Sequence, residues 1–232
     1  MKNKLSWVNN KGFSLVEMAI VLIIVGLLLT GLFTPLNAQL ELRRTEETRI
    51  VLDDAKDALV GYALANKFLP CPDTNAIPNG TEGVRGASNE CTTLEGVLPW
   101  QLLGVRGLDS WGRYIRYRVS TNFSNNVAFF GISDTGDIRV NSDTGTLTTS
   151  AIAVLISHGP NGFGGRNTTQ ASPANQMPVP TGADELENSN LNLTYMSHTP
   201  TPQGSANEFD DSVSWISSTI LVNRMVAAGQ LP

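Results

Sequence analysis

The sequence predicts an α+β fold in which one long N-terminal helix packs on a small antiparallel β-sheet, completed by a disulfide loop and a short C-terminal helix. Three observations lead to this prediction. Residues 13–68 follow a helical pattern with few interruptions, three later segments are rich in Val, Ile and Phe, and turn sequences such as SDTGD and NSDTG separate those segments. The chain of 232 residues is long enough for one such domain with appendages.

The first part of the helix, residues 13–36, is apolar enough to enter a lipid bilayer. Residues 18–36 carry no charge, and about 20 residues of helix span the hydrocarbon layer. Lys2, Lys4 and Lys11 precede this segment, so the positive-inside rule keeps that end in the cytoplasm. The sequence therefore predicts a single membrane pass followed by a domain on the periplasmic or outer side.

Glu17 is the one ionisable residue of that apolar segment, and the explanations of the segment treat it differently. A carboxylate in hydrocarbon costs about 2.5–3.5 kcal/mol, which marks Glu17 as functional unless it lies at the level of the lipid headgroups. A secretory signal cleaved near Ala38 would have a shorter apolar centre than this one. A plain membrane anchor explains the length of the segment and leaves the glutamate unexplained.

The helix is predicted to continue beyond the apolar segment to about Phe68, which gives it a length of roughly 80 Å. Its upper part carries one apolar stripe at helical spacings of three and four, formed by Val51, Ala55, Ala58 or Leu59, and Tyr62. Pro70 ends the helix because proline disfavours helical geometry in the residue before it. We expect the stripe to pack on the sheet and the charged residues around it to face solvent.

Three strands are predicted from their β-branched and aromatic residues, at 114–119, 127–132 and 151–157. Residues 167–207, hereafter the excursion, are rich in Pro, Asn, Thr and Ser and predict a long exposed loop. The chain is then expected to form a short strand at 213–216. A helix capped by Ser217 or Ser218 should follow and end near Ala228.

The two cysteines, Cys71 and Cys91, predict one disulfide in an exported chain. It would close a loop of about 21 residues and contribute roughly 3 kcal/mol in the chain-entropy model. The segment between them is polar and cannot build a core of its own. Two unrelated buried thiols are the alternative.

Composition and motifs argue against nucleic acid and against catalysis. The net charge is −5 and no basic stripe follows the N-terminal lysines, so nucleic acid is an unlikely partner. His158 and His198 are the only histidines, and neither has a nucleophile or acid at a recognisable catalytic spacing. A membrane-tethered hydrolase is the rival class, and it would need a site built from Glu95, Asp109 or Asp134.

Residues 11–17, KGFSLVE, and the apolar helix that follows resemble the class III leader of type IV prepilins and type II secretion pseudopilins. In that family a prepilin peptidase cuts after the glycine, and the new N-terminal amine is methylated. The resemblance implies a cut between Gly12 and Phe13 and methylation of Phe13. It divides the chain into a leader (1–12), a transmembrane assembly helix (13–36) and a periplasmic pilin-like domain (37–232).

The resemblance also implies a role for Glu17. In the family this glutamate is thought to pair with the free amine of the first residue on a neighbouring subunit, which here is Phe13. Two charges that are each costly in lipid become tolerable as a close pair, and the pairing enforces axial register between subunits. The implied role is therefore one of specificity in assembly.

Three further stretches resemble the major pseudopilins: residues 109–112 (DSWG) with Tyr117, residues 157–165 (SHGPNGFGG), and the acidic pair Asp210-Asp211 before Trp215. In pseudopilins the late loop binds calcium, and the ligands implied here are Asn161, Asp210 and Asp211. The glycine-rich loop itself has no aspartate. The alternative is that Asp210 or Asp211 caps or turns into the element that follows.

These observations together predict a structural subunit, a minor pilin or pseudopilin, of a type IV pilus or type II secretion filament. The implied partners are the prepilin peptidase, other pilin or pseudopilin subunits, the bacterial inner membrane and the assembly platform. A DNA-uptake or adhesive minor pilin is the alternative, and a membrane-anchored enzyme is less favoured. No cofactor is expected apart from the calcium that the resemblance implies.

Overall fold

The computed structural model describes residues 12–168 and 176–230, and within the long helix the side chains of residues 29–37 are not described. The predicted leader, except Gly12, and residues 169–175 of the excursion therefore lie outside the described residues. The chain divides into two compact units, residues 1–43 and 44–232, which are taken separately below.

The first unit contains the beginning of helix α1, Leu15–Asn66. From Phe13 to Leu28 its large apolar side chains are exposed, and Phe13 itself is 83% exposed. Among the described residues no helical stretch combines the length and the apolar character needed to cross a membrane. Part of the predicted span, residues 29–36, has side chains outside the described set, so the membrane pass stays a prediction.

The second unit confirms the apolar stripe on the upper part of α1. Val51, Ala55 and Leu59 are almost fully buried and pack with strand residues in the main core. The helix ends at Asn66, two residues before the predicted end, and Lys67 takes a left-handed conformation with φ of 69°. Helical spacing placed this face correctly because a stripe repeats every three to four residues.

Within the described residues the main sheet has six strands and is mixed, which corrects the prediction of a small antiparallel sheet. The strands are β1 Glu95–Val97, β2 Arg116–Val119, β3 Ile138–Ser142, β4 Gly145–Ser157, β5 Thr194–Met196 and β6 Ser212–Ser217. Their order is β1-β2-β4-β3-β5, with β6 also paired to β4. The pairing of β3 with β5 is parallel and the other strand pairings are antiparallel.

In the part of the chain that the structure describes, four shorter helices accompany the sheet: α2 Trp100–Leu103, α3 Thr121–Ser124, α4 Ala183–Glu187 and α5 Ser218–Ala227. The predicted C-terminal helix is confirmed in α5, where the Ser217 hydroxyl accepts a hydrogen bond from the Ile220 amide at 3.3 Å. This is the N-cap that its sequence predicts. The predicted strand before it is confirmed as β6.

Successive residues of β4 face two different cores. Ala153 and Leu155 belong to the core beneath α1, whereas Val154 and Ile156 belong to a second core with Tyr195. This alternation follows from the two-residue period of a strand. The near-continuous apolar run of β4 is therefore explained by burial on both faces.

The predicted strand at 127–132 is wrong, whereas β2 and β4 confirm the strands predicted at 114–119 and 151–157. The Asn125 side-chain oxygen accepts hydrogen bonds from the Val127 and Ala128 amides at 2.9 and 2.7 Å. Because a side chain takes these backbone donors, the segment forms a turn instead of pairing in the sheet.

The excursion is not a long structureless loop in its described part, contrary to the prediction. It contains α4 and β5, and Tyr195 is 1% exposed. The Tyr195 hydroxyl donates to Glu95 at 2.8 Å, and this carboxylate also pairs with Arg116 and Arg118 at 2.7 and 2.8 Å. Elements of five and three residues are too short to give a visible periodicity, which is why the sequence pattern missed them.

The predicted disulfide is confirmed. Cys71 and Cys91 are bonded, with their Cα atoms 5.3 Å apart, and both are buried in the main core. The Glu82 carboxylate accepts a hydrogen bond from the Cys71 amide at 2.8 Å. The polar loop between the cysteines is thus anchored to the main core.

Candidate functional site

The N-terminal motif begins outside the helix and leads directly into its first turn. Gly12, Phe13 and Ser14 precede α1, which begins at Leu15. A side-chain carbon added at Gly12 would meet no atom within 4 Å. The predicted cleavage bond between Gly12 and Phe13 is therefore an exposed, non-helical peptide bond.

Glu17 takes part in a capping box that the sequence analysis overlooked. Its carboxylate accepts a hydrogen bond from the Ser14 amide at 2.8 Å, and the Ser14 hydroxyl accepts from the Val16 amide at 3.3 Å. The signal was present in the sequence as Ser-x-x-Glu before an apolar run. Glu17 thus satisfies a free backbone donor at the start of α1, whatever else it binds.

A second group of acidic side chains meets beside the sheet. Glu185 comes from α4, Asp210 and Asp211 lie just before β6, and their ligand atoms are within 4.8 Å of one another. Asn161 and Glu208 adjoin this group, with the Asn161 amide nitrogen 3.1 Å from each of Glu185 and Glu208. We call these five residues the acidic cluster.

The glycine-rich loop lets the acidic cluster form. Gly159 has φ of 50°, and a Cβ there would overlap the backbone and carboxylate of Asp210. Gly164 has φ of 76°, and a Cβ there would crowd Ser189 of the excursion. The loop therefore turns away from β4 and also accepts close contact from the acidic pair and the excursion.

Asp211 is held rigidly by two side chains. Its two oxygens contact the His158 Nδ1 at 3.2 Å and the Asn188 amide nitrogen at 2.8 Å. All three residues are buried. Both carboxylate oxygens of Asp211 therefore already have hydrogen-bonding neighbours on the protein side.

Asp210 is less well satisfied. One oxygen accepts from the Asn161 amide at 3.0 Å, whereas Oδ1 is buried without a hydrogen-bond partner. Burial, reinforced by Glu185, Asp211 and Glu208, raises the pKa of Asp210 to about 7 despite that hydrogen bond. Burial and the nearby Asp211 likewise raise the pKa of Glu185.

The structure brings the three predicted calcium residues together and adds two carboxylates that the sequence analysis missed. Asp210 and Asp211 are adjacent to Glu185 as described, but the Asn161 side-chain oxygen accepts from the Phe163 amide at 2.8 Å, so its nitrogen faces the carboxylates. Glu185 and Glu208 were missed because Glu185 lies in the excursion and Glu208 directly follows it, and neither stretch carries a recognisable motif.

The DSWG segment contributes to structure. Asp109 accepts hydrogen bonds from the Trp111 and Arg113 amides at 3.0 and 2.9 Å, and from the Ser157 hydroxyl at 2.7 Å. It therefore ties its own turn to the end of β4. Tyr117 is fully buried and donates to the Pro70 carbonyl at 3.1 Å.

The three acids that a hydrolase would need lie apart. Asp109, Glu95 and Asp134 line separate cavities of about 510, 50 and 180 Å³. Asp134 accepts a hydrogen bond from the Gly131 amide at 2.7 Å and closes a local turn. The geometry brings none of these acids together with another of the three in one cavity.

Comparison with known proteins identifies the N-terminal region. The family model for the prokaryotic N-terminal methylation motif matches residues 7–33. No curated protein and no solved structure gives a significant match to the chain. The chain therefore carries, at its N-terminus, the prepilin-type cleavage and methylation signature of type IV pilins and pseudopilins.

Proposed function

We propose that this protein is a structural subunit, a minor pilin or pseudopilin, of a type IV pilus or type II secretion filament. The observation that carries the proposal is the methylation motif at residues 7–33, which leads into a helix with exposed apolar side chains. The prepilin peptidase cuts between Gly12 and Phe13, Phe13 is methylated, and the subunit joins others through α1. The second unit is the part displayed by the filament.

The precursor is inserted in the bacterial inner membrane through residues 13–36, with the domain from residue 37 onward in the periplasm. The three lysines of the leader and the uncharged run after Glu17 support this orientation. The disulfide between Cys71 and Cys91 supports an oxidising compartment. From the membrane the subunit passes to the assembly platform and into the filament.

Glu17 acts in assembly by pairing with the amine of Phe13 on a neighbouring subunit. Support comes from the position of Glu17 in the exposed first turn of α1, where its carboxylate is directed at the helix N-terminus. Negative charge is favoured there by the helix dipole, and a second positive charge from a neighbour would add to that. The pairing aligns neighbouring helices.

The glycine-rich loop and the acidic pair are two of the stretches that resemble major pseudopilins, and they lie against each other. This contact favours a secretion pseudopilin over a pilus subunit. A DNA-uptake pilin is the alternative, and the net charge of −5 disfavours it. Retention of labelled duplex DNA at moderate salt would revive that alternative.

Calcium fits the acidic cluster, and we extend the proposal to a calcium site held by Asp210 and Asp211. Calcium prefers six to eight oxygen ligands, and carboxylate and carbonyl oxygens are its usual protein donors. The buried, partnerless Oδ1 of Asp210 is the atom that most needs such an ion. The bound ion would supply positive charge among acids that otherwise repel one another. Asn161 would contribute its side-chain oxygen after rotation of the amide, since that oxygen now accepts from the Phe163 amide.

The proposal is tested by intact mass and N-terminal sequencing of the full-length protein expressed with and without the prepilin peptidase. We expect a chain that starts at methylated Phe13 only when the peptidase is present. Gly12→Val should block this processing, whereas the same change at Gly26 should leave it unaffected. A chain that starts after Ala38 would instead make this a secreted protein, and an uncut chain would leave a membrane-anchored domain.

A further inference from the structure

A small cavity in the second unit borders a buried nitrogen atom that the protein leaves without a hydrogen bond. The cavity has a volume of about 50 Å³ and lies where β1, β2, the glycine-rich loop and the excursion meet. Tyr114, Arg116, His158 and Arg166 are among the residues that line it, and we call it the His158 cavity. His158 is 1% exposed, and within the described residues its Nε2 has no hydrogen-bond partner. Buried polar atoms normally have one, so this nitrogen points to a ligand.

The ring of His158 is oriented by Asp211. Its Nδ1 lies 3.2 Å from an oxygen of the Asp211 carboxylate, and a carboxylate only accepts hydrogen bonds, so Nδ1 carries a hydrogen. The Nε2 of the neutral imidazole is then an acceptor. A Cβ added at Gly165, which also lines the His158 cavity, would lie 3.1 Å from Cδ2, the ring carbon bonded to Nε2. The Nε2 edge of the ring therefore borders the cavity and requires a donor there.

Two other side chains around the cavity have hydrogen-bonding capacity to spare. The Arg166 guanidinium donates to the Ala76 carbonyl at 2.7 Å, which uses one of its several N–H donors. The Tyr114 ring stacks on Trp100, and within the described residues its hydroxyl makes no hydrogen bond. His158, Arg166 and Tyr114 can therefore each bind a ligand without giving up a contact inside the protein.

The charge and the size of the cavity restrict its ligand to a neutral hydroxyl group. Arg116 and Arg166 outnumber Glu95 on the walls, so a metal cation is repelled. A carboxylate would place its lone pairs against the lone pair of Nε2. A hydroxyl group donates to Nε2 and accepts from Arg166 at the same time. The cavity volume is less than twice the roughly 30 Å³ that one water occupies in the liquid, so a hydroxymethyl group fits and a larger group does not.

We propose that the His158 cavity is a sugar-binding site, entered by the hydroxymethyl group of the sugar. The cavity opens to the surface beside Leu191, which lines it and is 66% exposed. The sugar ring stays outside at this opening, and its other hydroxyl groups bind Tyr114 and Arg166. A serine side chain from a partner protein carries the same hydroxymethyl group, but it has no second hydroxyl for Tyr114, so a sugar satisfies more of the site.

The rim of the cavity is held in place before any sugar binds. Leu191 has a left-handed φ of 66°, which is uncommon for a residue other than glycine, and its carbonyl accepts from Arg118 at 3.2 Å. Arg118 is held in turn by Glu95 at 2.8 Å. A preformed rim reduces the entropy lost on binding. The inference goes beyond the proposed function and requires no calcium, and it gives the second unit a ligand of its own.

The test follows the histidine ring nitrogens by NMR in the full-length protein, which has two histidines. The protein is isotope-labelled in histidine and kept in a phosphocholine detergent, because detergents with sugar headgroups would compete. Glucose, galactose and mannose are titrated, each beside its 6-deoxy form. We expect at least one hexose to shift the His158 Nε2 signal to saturation, and its 6-deoxy form to bind at least about tenfold more weakly. His198 should not respond, because both of its ring nitrogens already have partners.

Two variants test the side chains that line the opening. Tyr114→Phe removes the hydroxyl and keeps the ring that stacks on Trp100, so we expect the hexose to bind about threefold more weakly. Arg166→Met removes a charged donor and should weaken binding by about tenfold or more. Arg106→Met is the matched control, since this exposed arginine lines the cavity of about 510 Å³ instead, and it should bind like the wild type.

Each contrary result overturns the inference. A His158 signal that no hexose shifts would show that the cavity takes only water. Equal binding of a hexose and its 6-deoxy form would show that the hydroxymethyl group does not enter. A response to acetate or to N-acetylserine methylamide, without a response to any hexose, would assign the cavity to an anion or to a partner protein. If Arg166→Met fails to fold by circular dichroism, Tyr114→Phe and the 6-deoxy sugars with wild-type protein still decide the question.

Discussion

Carboxylates are held in two different ways in the two regions that carry the chemistry of this protein. Glu17 lies in an exposed helical turn, and its hydrogen-bond partner Ser14 is three residues away. Asp210 lies against the sheet, and its partners Asn161 and Glu185 are 49 and 25 residues away along the chain. The contact of Glu17 needs only the first turn of a helix, whereas the contacts of Asp210 form only when the unit of residues 44–232 is folded.

This difference predicts how the two regions respond to change. A substitution at Glu17 should leave the folded second unit intact and should affect the association of subunits. A substitution in or around the acidic cluster should alter stability, pH dependence and metal binding of the second unit. Four predictions test this separation, and they follow in order of decreasing effect.

The largest effect is expected for Glu17→Gln. Glutamine can still accept the hydrogen bond from the Ser14 amide, so the capping box is kept, but it brings no charge to pair with a neighbour's amine. We expect incorporation into filaments to fall by at least about tenfold in the presence of wild-type partners. Immunoblotting of sheared filaments measures it.

Glu46→Gln, an exposed acid of the same helix, is the control for this prediction and should assemble like wild type. Equal incorporation of both variants would show that the charge of Glu17 has no part in assembly. A lower thermal midpoint of the second unit in Glu17→Gln would also contradict the separation between the two regions.

The next effect is expected for Glu95→Gln, because the Glu95 carboxylate contacts Tyr195 of the excursion as well as Arg116 and Arg118 of β2. Glu95 pairs with Arg116 and Arg118 in a region where all three side chains are largely buried. Removing one partner leaves buried charge uncompensated, so the free energy of unfolding should fall by about 3–5 kcal/mol. Urea unfolding measures it, and Asp143→Asn in the exposed β3–β4 turn should change it by less than about 0.5 kcal/mol.

A smaller effect is expected when the disulfide is removed. Replacing Cys71 and Cys91 together by serine should lower the free energy of unfolding by about 3 kcal/mol, because the unfolded chain regains the entropy of an open loop. Thermal unfolding with and without reductant measures it. Reduction should destabilise the wild type by a similar amount and leave the stability of the double variant unchanged. A double variant as stable as the wild type would show that other contacts hold the loop.

The smallest effect is the pH dependence caused by Asp210. Its pKa rises to about 7 on folding, so the folded state binds a proton more tightly than the unfolded chain does. In the absence of calcium, its contribution to stability is fully present below about pH 4 and is lost as the pH rises through about 7. Asp210→Asn should remove about 2 kcal/mol of this dependence after allowance for solvent screening.

Calcium should reverse this loss at pH 7.5, since it binds the ionised form and stabilises the folded state by mass action. Thermal unfolding from pH 4 to 8, with chelator and with calcium, measures both effects. Asp143→Asn is again the control. A wild-type protein whose stability rises steadily across this range without calcium would contradict the raised pKa.

The elements that could be predicted from the sequence are those whose signals lie within a few residues. The stripe at Val51, Ala55 and Leu59, the cap at Ser217 and the strands within 114–119 and 151–157 each follow from short-range periodicity or from one side chain. The strand predicted at 127–132 failed for a local reason. Asn125 captures its backbone donors, and composition alone did not reveal that hydrogen bond.

The excursion could not be predicted because its order depends on partners far along the chain. Tyr195 reaches Glu95, which is 100 residues away, and Asn188 reaches Asp211, which is 23 residues away. No local pattern records such a pairing. The same reason explains why Glu185 and Glu208 were absent from the predicted calcium residues.

The sequence by itself determined the N-terminal motif, the α+β class, the disulfide and the C-terminal cap. The motif, the class and the cap depend on nearby residues or short repeats, and the disulfide follows from the presence of two cysteines in an exported chain. Only the tertiary structure decided that the sheet is mixed, that the excursion folds against it, and that five polar residues from three separate segments meet at one place. Hydrogen bonds and charge interactions act through space over a few ångströms. A chain brings distant residues within that range only after its core has formed.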